Sequence, residues 1–135
     1  MFPFSSRLLI VDDLESLREL LKAYLQRLGF RAIDEAYDGQ NALDMMWEAE
    51  HAKAPYALVI SDWNMPNMTG LALLLRVRQV EGWKKLPFIL LTTESEKDKI
   101  VSAVTAGVSN YMVKPVEETM LKDKLQKVWE KKQKG

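Results

Sequence analysis

The 135-residue sequence contains no cysteine, which excludes disulfides, thiolate metal sites and cysteine nucleophiles. It has no surplus of charge, because 19 lysines and arginines balance 19 aspartates and glutamates. Without a basic surplus there is no electrostatic reason to expect nucleic acid or a membrane surface as a partner. Long apolar runs are also missing: LLIV and FILL are of strand length, far short of the ~20 residues that a membrane span needs. The N-terminus lacks the pattern of a secretory signal, so we expect a cytoplasmic protein.

The chain consists of short apolar runs that alternate with amphipathic stretches. The pattern predicts strands at 7–11, 31–36, 56–61, 86–91 and 110–113, with helices at 14–28, 40–51, 71–80, around 100–104 and at 117–132. Leucines recur at helical spacing between residues 14 and 28, and Gly29 is expected to end that helix. The alternation predicts a single α/β domain over 1–135, with a core at about 7–131 and a parallel sheet covered by helices on both faces.

Polar side chains follow four of these strands. Asp12 and Asp13 come after the first strand, and Asp62, Thr92 and Lys114 come after the third, fourth and fifth. In an open parallel sheet, the carboxyl ends of the strands meet at one edge, where ligands bind. Three carboxylates there would repel one another without a cation among them, whereas a hydroxyl and an ammonium group suit an anion. The pattern therefore predicts a divalent metal beside a phosphoryl group.

Each of these residues also has a purely structural interpretation. Asp13 could cap the first helix, Asp62 could cap a turn, and Thr92 could cap the fourth helix. Capping does not require five unlike polar groups at one sheet edge, so together they favour a phosphoacceptor site. The lysines near the end of the last helix need no partner, because positive side chains interact favourably with the helix dipole there.

The motifs Asp12-Asp13, ISDWNMP over 60–66, Thr92 and Lys114-Pro115 resemble those of response-regulator receiver domains, most closely the single-domain chemotaxis receivers of the CheY type. The resemblance extends from about residue 7 to residue 131. It implies a flavodoxin/CheY-like, doubly wound sheet of five parallel strands in the order 2-1-3-4-5, with five helices. It also implies a role in two-component signalling, of the chemotaxis or motility type. The chain departs from the family at Thr69, where those receivers have aspartate.

The resemblance assigns a role to each site residue. Asp62 would accept a phosphoryl group from a histidine kinase. Asp12, Asp13, Asp62 and the backbone carbonyl of Asn64 would hold Mg²⁺, for which Mn²⁺ can substitute. Lys114, followed by a cis peptide bond to Pro115, would pair with a phosphoryl oxygen.

Further residues would act after phosphorylation. Thr92 would hydrogen-bond the attached phosphoryl group, and Tyr111 would change rotamer as the second part of the switch. Asn64 and Glu94 border the path of the water that attacks the acyl phosphate, so we expect them to set its lifetime.

The resemblance also implies how the signal leaves the domain. The partner-binding face would lie on the fourth helix, fifth strand and fifth helix, at Ile100, Val104, Val108, Tyr111, Lys124 and Lys127. A downstream protein such as a flagellar switch component would bind there to a monomeric receiver, which we do not class as an enzyme because it has no separate product. Alternatives are a phosphorelay intermediate or phosphate sink, and a receiver domain cut from a larger regulator. A scaffold that is never phosphorylated is disfavoured because every core position is filled.

Overall fold

A computed structural model describes residues 1–93 and 97–134, without the side chain of Lys97. Its elements are β1 (Arg7–Val11), α1 (Glu15–Leu28), β2 (Ala32–Ala36), α2 (Gly39–His51), β3 (Leu58–Asp62), α3 (Gly70–Gln79), β4 (Phe88–Thr92), α4 (Lys97–Thr105), β5 (Asn110–Val113) and α5 (Glu118–Lys134). A 3₁₀ turn over Glu81–Trp83 precedes β4. All strand pairs are parallel and the strand order is β2-β1-β3-β4-β5. The predicted fold class and strand order are confirmed.

The sheet is buried on both faces, which explains why its strands are continuous apolar runs. In β1, Leu8 and Ile10 point into a core shared with α1 and α5, whereas Leu9 and Val11 point into a second core shared with α2 and α3. The first of these cores also includes Phe2, only 2% exposed, whose ring lies 5.0 Å from that of Trp129. The packed core therefore begins ahead of residue 7.

Two of the strands that lead into the predicted site, β3 and β4, end one residue later than the sequence predicts. Asp62 is the last residue of β3, in register with Leu91, and Thr92 is the last residue of β4, in register with Val113. At its other end β4 begins after Pro87, because proline has no N–H group to contribute to a strand ladder.

The helix ends explain how the first acidic residues are placed. Gly29 ends α1 in the left-handed conformation, with φ +118°, as predicted. The alternative interpretation, in which Asp13 caps α1, is wrong: the N-cap residue is Leu14, and its side chain makes no capping hydrogen bond. Instead, the backbone N–H of Leu14 donates to Oδ1 of Asp12 at 2.9 Å, which fixes the Asp12 carboxylate at the end of β1.

Within the described part of the chain, no helix combines the length and the apolar character that crossing a bilayer requires.

Candidate functional site

Three carboxylates converge at the carboxyl edge of the sheet. One oxygen from each of Asp12, Asp13 and Asp62 lies within 4.8 Å of the others. The pairing of Val11 with Ser61 sets this distance, because it aligns the ends of β1 and β3. Asp12 and Asp62 are buried, at 0% and 4% exposure, whereas Asp13 is exposed. The cluster is thus open to solvent on one side only.

The environment of Asp12 fits a bound cation. Its Oδ2 atom is buried and has no hydrogen-bond partner within residues 1–93 and 97–134. The pKa of Asp12 is raised to about 6, mainly by burial and in part by the nearby carboxylates of Asp62 and Asp13, against the lowering effects of the Leu14 N–H and Lys114. A hard divalent cation with oxygen ligands would satisfy the orphaned atom and offset the repulsion. Asp12, Asp13 and Asp62 are therefore suited to hold Mg²⁺.

A positive charge lies next to Asp62. Nζ of Lys114 is 2.8 Å from Oδ1 of Asp62, and the two side chains are 19% and 5% exposed. The backbone N–H of Lys114 donates to the carbonyl of Thr92 at 2.8 Å, and the peptide bond to Pro115 is cis, as expected. Asp62 therefore belongs to the acidic cluster and is also paired with an ammonium group.

The other predicted site residues differ in burial and in the element that holds them. Thr92 is 3% exposed and ends the neighbouring strand, whereas Asn64 is exposed, two residues after Asp62. Tyr111 is half-buried on β5, and Nζ of Lys124 lies 5.7 Å from the centre of its ring. Glu94 lies outside the described residues.

The predicted partner face needs one correction. Val104 is 62% exposed and Lys127 is exposed beside Asp123, at 3.1 Å; Ile100 is partly exposed. Val108 is only 8% exposed and belongs to the core shared with α2 and α3. It follows the turn at Gly107, where the chain returns to the sheet. Its side chain is packed in the core and is not part of the exposed partner face.

Two contacts that hold the site backbone are not predicted from the sequence. Nη1 of Arg18 donates to the carbonyl of Asp12 at 2.7 Å, and its Nε donates to Glu35 at 3.2 Å. The N–H of Gly70 donates to the carbonyl of Trp63 at 2.8 Å. A Cβ atom at Gly70 would overlap the backbone oxygen of Asp62. A glycine that closes a turn-rich segment was the available signal for Gly70; no pattern marks Arg18.

Comparison with known proteins decides the family. The family model described as the response regulator receiver domain matches residues 8–126. The chain belongs to the response regulator receiver family. The receiver is 41% identical over 125 residues to the chemotaxis protein CheY of Pseudomonas aeruginosa, a match that covers 93% of this chain and 97% of that protein. It is 43% identical over 122 residues to the chemotaxis protein CheY1 of Helicobacter pylori, covering 90% and 95%.

A solved structure agrees with this assignment. The receiver resembles the chemotaxis protein CheY4 of Vibrio cholerae with a TM-score of 0.80 and 35% identity, over 92% of this chain and 98% of that one. The predicted resemblance to CheY-type receivers in two-component signalling is confirmed.

Proposed function

We propose that this receiver accepts a phosphoryl group on Asp62 from a histidine kinase, in a Mg²⁺-dependent reaction, and that the phosphorylated form binds a downstream protein. The observation that carries the proposal is that Asp62 is both a member of the acidic cluster and an ion-pair partner of Lys114, whose Nζ is 2.8 Å away. Such a kinase draws its phosphate from ATP, so we place the receiver in the cytoplasm. We propose that it acts there as a monomer of one domain.

The transfer step follows from these positions. A carboxylate oxygen of Asp62 attacks phosphorus as the P–N bond to the donor imidazole breaks, and an acyl phosphate forms. Bound Mg²⁺ would supply positive charge to the phosphoryl oxygens. Lys114 leaves its carboxylate partner to pair with a phosphoryl oxygen, which keeps its charge compensated. Because both residues are mostly buried, water screens this attraction little.

The same positions support a switch. Thr92, buried at the end of β4, can donate its hydroxyl to a phosphoryl group on Asp62. A new contact of this kind biases two pre-existing states. In the sheet register Tyr111 pairs with Leu90, and Leu90 is two residues before Thr92. Movement of the loop that follows Thr92 can therefore change the surroundings of the Tyr111 ring.

Borohydride mapping tests the proposed chemistry. An acyl phosphate on aspartate is reduced by borohydride to homoserine, which peptide mass spectrometry locates. After treatment with acetyl phosphate and Mg²⁺, we expect homoserine at position 62 and at no other aspartate. Homoserine at position 12 or 13, with Asp62 unchanged, would show that Asp62 is not the phosphoacceptor.

Asn64 and Glu94 are proposed to set the lifetime of the acyl phosphate. Asn64 is exposed beside the acceptor, where a side chain can orient or obstruct the attacking water. We expect Asn64→Ala and Glu94→Ala to change the dephosphorylation rate by about 3–10-fold, with little effect on Mg²⁺ affinity. Intact-mass measurements over time give the rate at which the phosphoryl group is lost. An unchanged rate in both variants would contradict the proposed role of Asn64 and Glu94.

The proposed output face consists of Ile100, Val104, Tyr111, Lys124 and Lys127, on α4, β5 and α5. Lys124→Ala removes the cation beside the Tyr111 ring and is expected to weaken binding of the phosphorylated receiver to a flagellar switch component about tenfold. Lys122→Ala, an exposed lysine on the same helix, is the control. Fluorescence anisotropy measures both. Equal affinity of Lys124→Ala and the wild type would place the interface elsewhere.

A further inference from the structure

A second polar region lies at the opposite edge of the sheet from Asp62. A cavity of about 440 Å³ is formed there by the segments before β4 and β5, together with the ends of α3 and α5. Pro87 precedes the first residue of β4, and Ser109 precedes the first residue of β5, so the cavity is at the amino ends of these strands. The acidic cluster is at their carboxyl ends. The two regions are therefore separate.

The cavity is lined by five cations: Arg78, Lys84, Lys85, Lys131 and Lys132. Among its described lining residues none is acidic. The cations come from three different segments of the chain, so the dipole of α5 accounts only for the two lysines at its end. Lys84 has an ion-pair partner in Glu81, at 2.9 Å, but that carboxylate is 90% exposed and outside the cavity. The α5 dipole and the Glu81 ion pair therefore do not account for the five positive charges around the cavity.

Arg78 is the innermost of these cations. Its Nε donates to the carbonyl of Gly107 at 3.0 Å, and its Nη1 donates to the carbonyl of Trp83 at 2.8 Å. Both acceptors are neutral, and no carboxylate of a described residue is recorded within ion-pairing distance of its guanidinium. Burial of this charge lowers the pKa of Arg78. A half-buried guanidinium with only neutral partners is costly, and an anion in the cavity would offset that cost.

The remaining walls are apolar. Pro87, Val108 and Val128 line the cavity, and each is buried. A volume of 440 Å³ lies within the range of about 300–1,000 Å³ that is usual for small-molecule sites. The site therefore suits a small ligand that combines a flat apolar part with several negative charges.

We propose that this cavity binds a nucleoside polyphosphate, with the base against Pro87, Val108 and Val128 and the phosphates among the lysines. Lys85, from the segment before β4, and Lys131, from α5, both line the cavity and would contact the phosphates. The site is independent of Asp62, so it can be tested whether or not the receiver is phosphorylated.

Isothermal titration with ATP and with GTP tests the proposal. EDTA is present throughout, so that no divalent ion can bring a phosphate to the acidic cluster. We expect saturable binding of at least one nucleotide, weaker binding of inorganic triphosphate, and unchanged binding to Asp62→Asn. The double variant Lys85→Gln/Lys131→Gln, at two exposed positions, should bind at least about tenfold more weakly.

A matched control removes the same charge elsewhere. Lys53→Gln/Lys122→Gln changes two exposed lysines outside the cavity and should bind as the wild type does. No binding of either nucleotide up to about 5 mM, or equal loss in both double variants, would overturn the proposal. Equal affinity for inorganic triphosphate and for the nucleotides would show that the base does not contact Pro87, Val108 and Val128, and would overturn the proposal of a nucleoside ligand. Tighter binding of a single-stranded oligonucleotide than of either nucleotide would replace the small ligand with a nucleic acid.

Discussion

Asp12→Asn is expected to make the metal-free protein more stable and to abolish its response to Mg²⁺. The carboxylate is fully buried, its Oδ2 atom has no hydrogen-bond partner among the described residues, and Asp13 and Asp62 lie beside it. An amide removes the buried charge and keeps the oxygen that accepts from Leu14. The N–H₂ group that replaces Oδ2 can donate to the carboxylate of Asp13 or Asp62. Relief of a buried unsatisfied group is worth about 1–3 kcal/mol, which is the expected gain in the free energy of unfolding.

Urea denaturation in EDTA and in Mg²⁺ measures both effects. A ligand that binds only the folded state adds RT ln(1 + [L]/Kd), so about 10 mM Mg²⁺ should stabilise the wild type by roughly 1–2 kcal/mol and Asp12→Asn by nothing measurable. Asp44→Asn, an exposed carboxylate on α2, serves as the control and should keep the Mg²⁺ response. A destabilised metal-free Asp12→Asn protein, or one that still responds to Mg²⁺, would contradict the account of the cluster.

Gly70→Ala is expected to destabilise the protein by about 2–4 kcal/mol and to slow phosphorylation of Asp62 strongly. The new methyl group would overlap the backbone oxygen of Asp62 and approach Cδ2 of Leu90 to 2.8 Å. Backbone cannot move aside as a flexible side chain can, so the end of β3 must shift. The backbone N–H of Gly70 also donates to the carbonyl of Trp63. A shift at Gly70 would therefore also displace the loop that follows Asp62.

Gly82→Ala provides the comparison. A Cβ atom at Gly82 would meet no described atom within 4 Å, so we expect a change of less than about 1 kcal/mol. Urea denaturation gives the stabilities, and the rate of acetyl phosphate labelling gives the activity. Gly70→Ala with the stability and labelling rate of Gly82→Ala would show that the acceptor loop does not depend on this close contact.

The sequence predicted the fold well because its signals are local and repeated. Continuous apolar strands, leucines at helical spacing and Gly29 each act within a few residues, and β1 and β5 have the bounds that were predicted. The convergence of Asp12, Asp13 and Asp62 was predictable too, because parallel strands align their carboxyl ends.

What the sequence could not supply depends on packing between distant segments. The burial of Phe2 against Trp129 joins the two ends of the chain, and Val108 became a core residue because the turn before β5 directs it inward. The orphaned Oδ2 of Asp12 and the overlap that excludes a side chain at Gly70 depend on the distances between atoms of separate segments. Periodicity contains no such information.

The central claim is that Asp62 becomes phosphorylated in a reaction that needs Mg²⁺. Intact mass of the wild type and of Asp62→Asn, after acetyl phosphate with Mg²⁺ or with EDTA, tests it most directly. The account predicts one phosphoryl adduct, on the wild type with Mg²⁺ only. If rapid hydrolysis hides the adduct, beryllofluoride should still bind to the wild type and not to Asp62→Asn. Absence of both the adduct and beryllofluoride binding, or an equal adduct on Asp62→Asn, would contradict the claim.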